Sequence, residues 1–222
     1  MVQLLDCDGD LAAGLDSAER EIASQALPVQ QVSLKKGAWR PDEEGPRPGH
    51  LGYLIVAGLV IRRVEVANGS KVELLGRGDL LRPWQEDVSS FCCSSWEVLQ
   101  SSQVVSLDHR LTESLARWPV IVANVVARGV QRSRALAADG AIASIVGLED
   151  RLLLLLWQLA ERWGEARRDG VHLGIRLPHR LLAELSGARR PSVTSALAQL
   201  EEGGRLDSTP QGHWLLLGGP PQ

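Results

Sequence analysis

Arg189 and Arg190 immediately precede Pro191, and Ser192, Ser195 and Gln199 follow at intervals of three and four residues. On a helix those intervals bring the three polar side chains to one face, with two guanidinium groups at its leading end. Val193, Leu197 and Leu200 repeat on the other face, so the helix is expected to be packed on one side and open on the other. The chemistry open to such a polar face is nucleic-acid recognition. A guanidinium reads guanine in bidentate fashion, and hydroxyl and amide groups bond bases or backbone. Arg180 and Arg189 have the character of phosphate contacts, and Gln211 and His213 lie where a turn could reach adjacent phosphates. The alternative for all of these residues is a solvated helix face.

Positioning that face requires particular elements. Leu177, Leu181, Leu182 and Leu185 recur at helical spacing and predict a first helix, Gly187 supplies a turn, and a second helix opens at Pro191. A short two-stranded wing, turning over 208–212, completes the segment 177–217. Two short helices joined by a glycine-containing turn, the second led by arginines, suit insertion into a major groove. The 222-residue chain has a formal net charge of −3, but between 176 and 195 Arg176, Arg180, Arg189 and Arg190 stand against Glu184 alone. A local basic surface is what duplex binding needs.

Other chemistries find little support. Cys7, Cys92 and Cys93 make no disulfide framework, and the adjacent pair suits neither a zinc site nor an easy bridge. Reduced thiols in a cytoplasm are expected. A metal-dependent barrel enzyme would need three or four clustered ligands, and the strand-rich region offers only His50 and His109. Gly76-Arg77-Gly78 is a turn signal, not a phosphate loop. No catalytic residue, metal or cofactor is expected. Residues 1–10 lack the pattern of an export signal, and the apolar run 152–157 is far below the ~20 residues of a membrane span. A soluble cytoplasmic protein with no membrane partner is the expectation.

Ser17 is expected to cap a short helix over 17–26. Between 29 and 108 the texture becomes short β-rich runs (31–34, 52–57, 59–66, 71–75, 97–99, 103–107) with turns such as Asn68-Gly69, the pattern of a sandwich or small barrel. Residues 41–50 read as a surface loop. After Pro119 the pattern is helical, and a helix of ~25 residues would span roughly 38 Å. Along it Val122, Val126, Gly129, Ser133, Leu136 and Gly140 keep near-heptad spacing. This stripe either packs on the chain's own β region or meets a second copy. Gly147 then stands as a hinge, or a mere kink, before an amphipathic helix over 149–163 that turns Leu152, Leu153, Leu156, Leu159 and Ala160 inward. The expected divisions are 1–117, a sensor-like β-barrel; 118–146, a long helix; and 147–222, a winged helix-turn-helix.

This order of elements resembles the Crp/Fnr family of bacterial transcription regulators. The resemblance covers nearly the whole chain and is strongest in RLLAELSGARRPSVTSALAQLEE, where Leu182-Ala183, Gly187, Arg190, Val193, Leu197 and Leu200 fall on the family's pattern. Arg151 also stands at a position where the family usually has arginine. Tyr53-Leu54-Ile55, Gly58 and Gly78-Asp79 resemble its barrel landmarks. The resemblance implies an α+β fold: an N-terminal jelly-roll β-barrel like a cyclic-nucleotide-binding domain, a long dimerisation helix and a C-terminal winged helix-turn-helix. It further implies a homodimer on a near-palindromic DNA operator, in contact with RNA polymerase, with Arg190 as a base-reading residue. Pro191 and Ser195 depart from the family's frequent acidic and arginine residues, so a different operator sequence is expected. Pro191 also biases Arg190 toward an extended, capping conformation.

Nucleotide-binding members use a glutamate after the Gly-Asp turn and an arginine–serine pair for the phosphate. Here Leu80-Leu81-Arg82-Pro83 follows Gly78-Asp79, and no lysine or arginine occurs between Arg82 and Arg110. A buried cyclic phosphate would lack a cationic partner, so cyclic AMP dependence is not expected. An iron–sulfur cluster needs about four cysteine ligands, and Cys7 is the only cysteine near the N-terminus, so no cluster is expected either. His50 and His109 read as surface residues rather than haem ligands. The residues available to an effector are Arg82, Trp84, Trp96, Arg132 and Leu136. Core packing is the alternative for Trp84, Trp96 and Phe91. A competing class is a ligand-sensing barrel protein whose winged helix binds protein instead of DNA.

Overall fold

The computed structural model describes residues 1–41, 48–67, 69–84 and 90–221. They form two compact units, Met1–Arg134 and Ala135–Gln222. The first unit begins with β1 (Val2–Gln3), α1 (Leu4–Cys7) and α2 (Ser17–Ala26). Ser17 does not cap α2; Asp16 does. Its carboxylate accepts from the Glu19 amide at 2.8 Å, while the Glu19 carboxylate accepts from the Asp16 amide at 3.1 Å. This reciprocal pair satisfies two amides at a helix start.

Strands β2 (Pro28–Leu34), β3 (Gly37–Trp39), β4 (Gly52–Val66), β5 (Gly69–Leu75), β6 (Leu80–Leu81) and β7 (Cys92–Leu107) follow. With β1 they make one seven-stranded sheet in the order β1-β2-β7-β4-β5, β3 lying beside β7 and β6 beside β4. The runs that the sequence divides at Gly58 and around 100–102 are continuous strands. β4 and β7 pair from Gly52 with Leu107 to Val66 with Cys92, through register shifts between Ile55 and Val60. Gly58 makes this possible at φ +92°, and a Cβ there would lie 2.5 Å from Ser102 Cα and 2.6 Å from the Ser101 carbonyl oxygen. The kink stays in the ladder because glycine needs no room.

Two further expectations are corrected in this unit. Val66 pairs with Gly69, so Gly69 belongs to β5 and is not a central residue of the β4–β5 turn. Ala67 takes the positive φ, 50°, that a two-residue hairpin turn demands; Asn68 lies outside the described residues. Most of the expected surface loop, 42–47, also lies outside them. His50 is not a surface residue: it is 6% exposed, stacked on Trp84 at 4.5 Å and hydrogen-bonded through Nε2 to Ser106 Oγ at 3.1 Å. Phe91, by contrast, is 70% exposed and belongs to no core.

α3 (His109–Leu115) begins at Asp108, whose carboxylate accepts from the Arg110 and Leu111 amides. α4 (Pro119–Ala143) is the long helix foreseen in the sequence. One side of it is tied down. Ile121 and Val125 enter a core with Leu4, Leu11, Leu27 and Leu107. Asn124 Nδ2 donates to the Leu11 and Ala13 carbonyls, each at 2.9 Å, and Arg128 pairs with buried Asp8 at 3.0 Å. Arg132 grips both carboxylate oxygens of Glu73 on β5 and the Leu80 carbonyl on β6. Burial opposes the charge of Arg132, but the hydrogen bond and charge of Glu73, helped by Asp79, outweigh it and raise the pKa of the guanidinium. The other side leaves Val122, Val126 and Val130 exposed by 38%, 61% and 48%, and nothing lies within 4 Å of a Cβ built on Gly129. At these positions the stripe does not pack on the β region of its own unit.

The second unit contains α5 (Leu148–Trp163), β8 (Gly164–Arg167), β9 (Gly170–Leu173), α6 (His179–Ser186), α7 (Arg190–Glu202), β10 (Leu206–Ser208) and β11 (Trp214–Leu216). Leu152, Leu153, Leu156, Leu159 and Ala160 of α5 are buried together with Val193, Leu197 and Leu200 of α7. The wing is larger than expected, a four-stranded sheet in the order β10-β11-β9-β8. Its β8–β9 hairpin was hidden because β8 leaves Glu165, Ala166 and Arg167 exposed, so no apolar alternation marks it. Among the described residues no helix is long and apolar enough to cross a membrane.

Candidate nucleic-acid interface

Pro178 breaks the leucine periodicity, so Leu177 stays outside α6, which begins at His179. Gly187 ends α6 in the left-handed region at φ 66°, ψ 26°, and the Ala188 amide bonds the Ala183 carbonyl at 3.0 Å. This cap turns the chain sharply into α7. Arg189, extended at φ −79° and ψ 139°, is the N-cap, and Arg190 is already helical. The helix therefore starts one residue earlier than expected, and Pro191 sits in a first turn where no amide is required. Arg190 is helical despite the preference for an extended residue before proline, although Arg189 makes no side-chain capping hydrogen bond.

Val193, Ala196, Leu197 and Leu200 are buried, while Arg189, Arg190, Ser192, Ser195 and Gln199 are exposed. Ser195 donates its hydroxyl hydrogen back to the Pro191 carbonyl at 3.3 Å, which leaves the oxygen as an acceptor. Arg180 is 80% exposed along its side chain and pairs with Glu184 at 3.1 Å, one turn along α6. His213 is half-buried, and its Nδ1 donates to the Leu173 carbonyl at 3.0 Å. Two anchors hold the head. Trp214 donates its indole N–H to the Leu177 carbonyl at 2.9 Å. Arg151, on α5, bonds the Ser186 carbonyl at the end of α6 at 3.3 Å. A groove of about 720 Å³ runs between α6, α7 and the wing, lined among others by Arg176, His179, Arg180, Arg190, Thr194 and His213. His179 was not foreseen: its Nδ1 meets Thr194 Oγ1 at 3.0 Å and its ring stacks on Trp214 at 5.7 Å. No spacing signal joins residues on different helices.

Several of the barrel residues considered for an effector are engaged with neighbouring side chains. Trp84 packs on His50 and, edge-on, on Tyr53; Trp39 bridges Tyr53 to Trp96, over which Arg62 lies at 5.7 Å. Arg132 is held by Glu73, and Arg82 is exposed. Leu136, in the second unit, is 41% exposed. Residues 85–89 lie outside the described residues. Cys92 is half-buried and Cys93 exposed. Burial, reinforced by Asp6, pushes the Cys7 thiol above its ordinary range despite the opposing charge of Arg77. Gly147 caps α5 at φ −67° and ψ 120°, a conformation open to any residue.

The family comparison addresses this head directly: the model described as the Crp-like helix-turn-helix domain matches residues 150–217. This segment is thus similar to Crp-like helix-turn-helix domains. No curated protein sequence matches the chain, but solved structures share its fold. A CooA mutant from Carboxydothermus hydrogenoformans is 17% identical, with a TM-score of 0.66 over 98% of this chain and 92% of that one. FixK2 from Bradyrhizobium japonicum is 17% identical, with a TM-score of 0.63 over 86% and 94% of the two chains. A CRP/FNR-family transcriptional regulator from Thermus thermophilus is 22% identical, with a TM-score of 0.54 over 85% and 94%. The Crp-like head thus stands within the Crp/Fnr fold, as the sequence resemblance implies.

Proposed function

We propose that this chain is a homodimeric, sequence-specific DNA-binding transcription regulator of the Crp/Fnr type. The observation that carries the proposal is the division of α7, whose apolar side is buried while Arg189, Arg190, Ser192, Ser195 and Gln199 stay open to solvent. In this reading Arg190 meets a base, Arg189 and Arg180 meet phosphates, and Ser192, Ser195 and Gln199 meet base edges or backbone. His213 reaches the backbone from the wing. The domain roles follow the divisions 1–117, 118–146 and 147–222, with Gly147 as the hinge. Contact with RNA polymerase belongs to the same proposal. The lack of any lysine or arginine between Arg82 and Arg110 supports independence from cyclic AMP; any other effector would draw on Arg82, Trp84, Trp96 and Arg132 of the barrel unit.

The test is selection of bound duplexes from a random pool, with and without cell extract. The expected product is a near-palindrome whose half-sites are about 34 Å apart, one DNA turn. Failure to enrich any sequence would refute specific DNA reading, and enrichment only with extract would assign an effector.

The open stripe of α4 supports the dimer reading. A helix that leaves Val122, Val126 and Val130 in solvent beside Gly129 offers a close-packing seam to a second copy. Val126→Glu is expected to shift the protein from dimer to monomer at micromolar concentration, read by analytical ultracentrifugation. An unchanged dimer would remove α4 from the interface.

A further inference from the structure

We propose that the groove between α6, α7 and the wing is a proton-linked seat for a DNA backbone phosphate, gripped by His179 and His213. The inference rests on the DNA-binding reading above and adds to it a residue, His179, and a protonation requirement. His213 Nδ1 faces the Leu173 carbonyl at 3.0 Å. A carbonyl only accepts, so Nδ1 carries a hydrogen and, in the neutral ring, Nε2 has none. The same assignment holds for His179. Thr194 gives its single hydroxyl hydrogen to the Arg190 carbonyl at 3.1 Å, so its oxygen accepts from His179 Nδ1 at 3.0 Å. Each neutral ring therefore shows a lone pair at Nε2, which repels a phosphate oxygen. Each protonated ring shows an N–H, which bonds one.

Charged groups of both signs line the groove with the two rings. Arg176, which precedes α6, and Arg180 of α6 line the groove with Arg190 and Glu201 of α7. Glu184 is engaged by Arg180, and the two histidines face these groups from α6 and the wing. A phosphate seated in the groove would exchange a lone-pair repulsion for a hydrogen bond once the rings carry a proton. Histidine is the side chain whose ordinary titration falls in the range where this exchange would be felt. Duplex binding should take up protons, and the arginines should supply the part of the grip that does not depend on pH.

The experiment measures binding of the full chain to a labelled duplex by fluorescence anisotropy at about 50 mM salt, across about pH 6 to 8. Asparagine places an amide donor where Nδ1 stood, so His179→Asn and His213→Asn keep the internal hydrogen bonds and remove the titrating nitrogen. Wild-type affinity is expected to fall roughly tenfold across that range; the double variant should bind more weakly than wild type at the acid end and show a nearly flat profile. Calorimetry in two buffers of different ionisation enthalpy should show proton uptake by wild type and not by the double variant, whose fold is checked by circular dichroism. An identical pH slope in both proteins, or DNA binding with no proton uptake, would overturn the seat while leaving DNA binding intact. No duplex binding at any pH would overturn both.

Discussion

Arg132→Met is expected to destabilise the barrel unit by about 3–5 kcal/mol, the cost of leaving a buried ionised partner alone. Glu73 is 8% exposed, and Arg132 supplies both bonds to its carboxylate together with a third to the Leu80 carbonyl. Methionine keeps much of the aliphatic stem and removes all three donors. The stranded carboxylate must then protonate or be hydrated, and α4 loses its attachment to β5 and β6. Replacing both partners, with Arg132→Met and Glu73→Leu, should recover most of the loss, because two matched apolar groups leave no charge to compensate. Urea unfolding of the full chain and of both variants checks this. Equal stability of wild type and Arg132→Met would show that the pair is not what fastens α4.

Arg190→Ala is expected to weaken binding to the selected operator by about 1–3 kcal/mol, roughly five- to 150-fold. Binding to an unrelated duplex should change less. Arg190 begins α7 with its side chain exposed, and its carbonyl is held by Thr194, so the guanidinium can turn toward a base edge from a fixed backbone. A bidentate contact to guanine gives discrimination, whereas a phosphate contact gives only affinity. Competition between operator and random duplex separates the two. Equal losses on both DNAs would reassign Arg190 to the backbone.

The parts of this architecture that were legible in the sequence are those where a single element carries its own pattern. Val193, Leu197 and Leu200 against Ser192, Ser195 and Gln199 announce α7 because periodicity alone decides which side is buried. The buried leucines of α5 follow the same logic. The strands were harder. Polar residues interrupt β7, and Gly58 interrupts β4 in the sequence while preserving its ladder in space. β8 exposes nearly all its side chains and left no apolar signature. Pairs between distant positions left no trace either: Arg132 finds Glu73 fifty-nine residues away, and His179 finds Thr194 across a turn. Asp16 displaced Ser17 as a cap because the reciprocal bond with Glu19 is available only one residue earlier.

The most direct test is the salt dependence of duplex binding by the full chain. If the arginine-led face of α7 enters a groove, logarithmic affinity should fall linearly with logarithmic salt, losing about 0.9 in slope for each phosphate neutralised. A homodimer carrying Arg180 and Arg189 on each head should give a slope steeper than about −3. Duplex binding that is absent at low salt, or a slope near zero, would contradict the assignment of this surface to DNA.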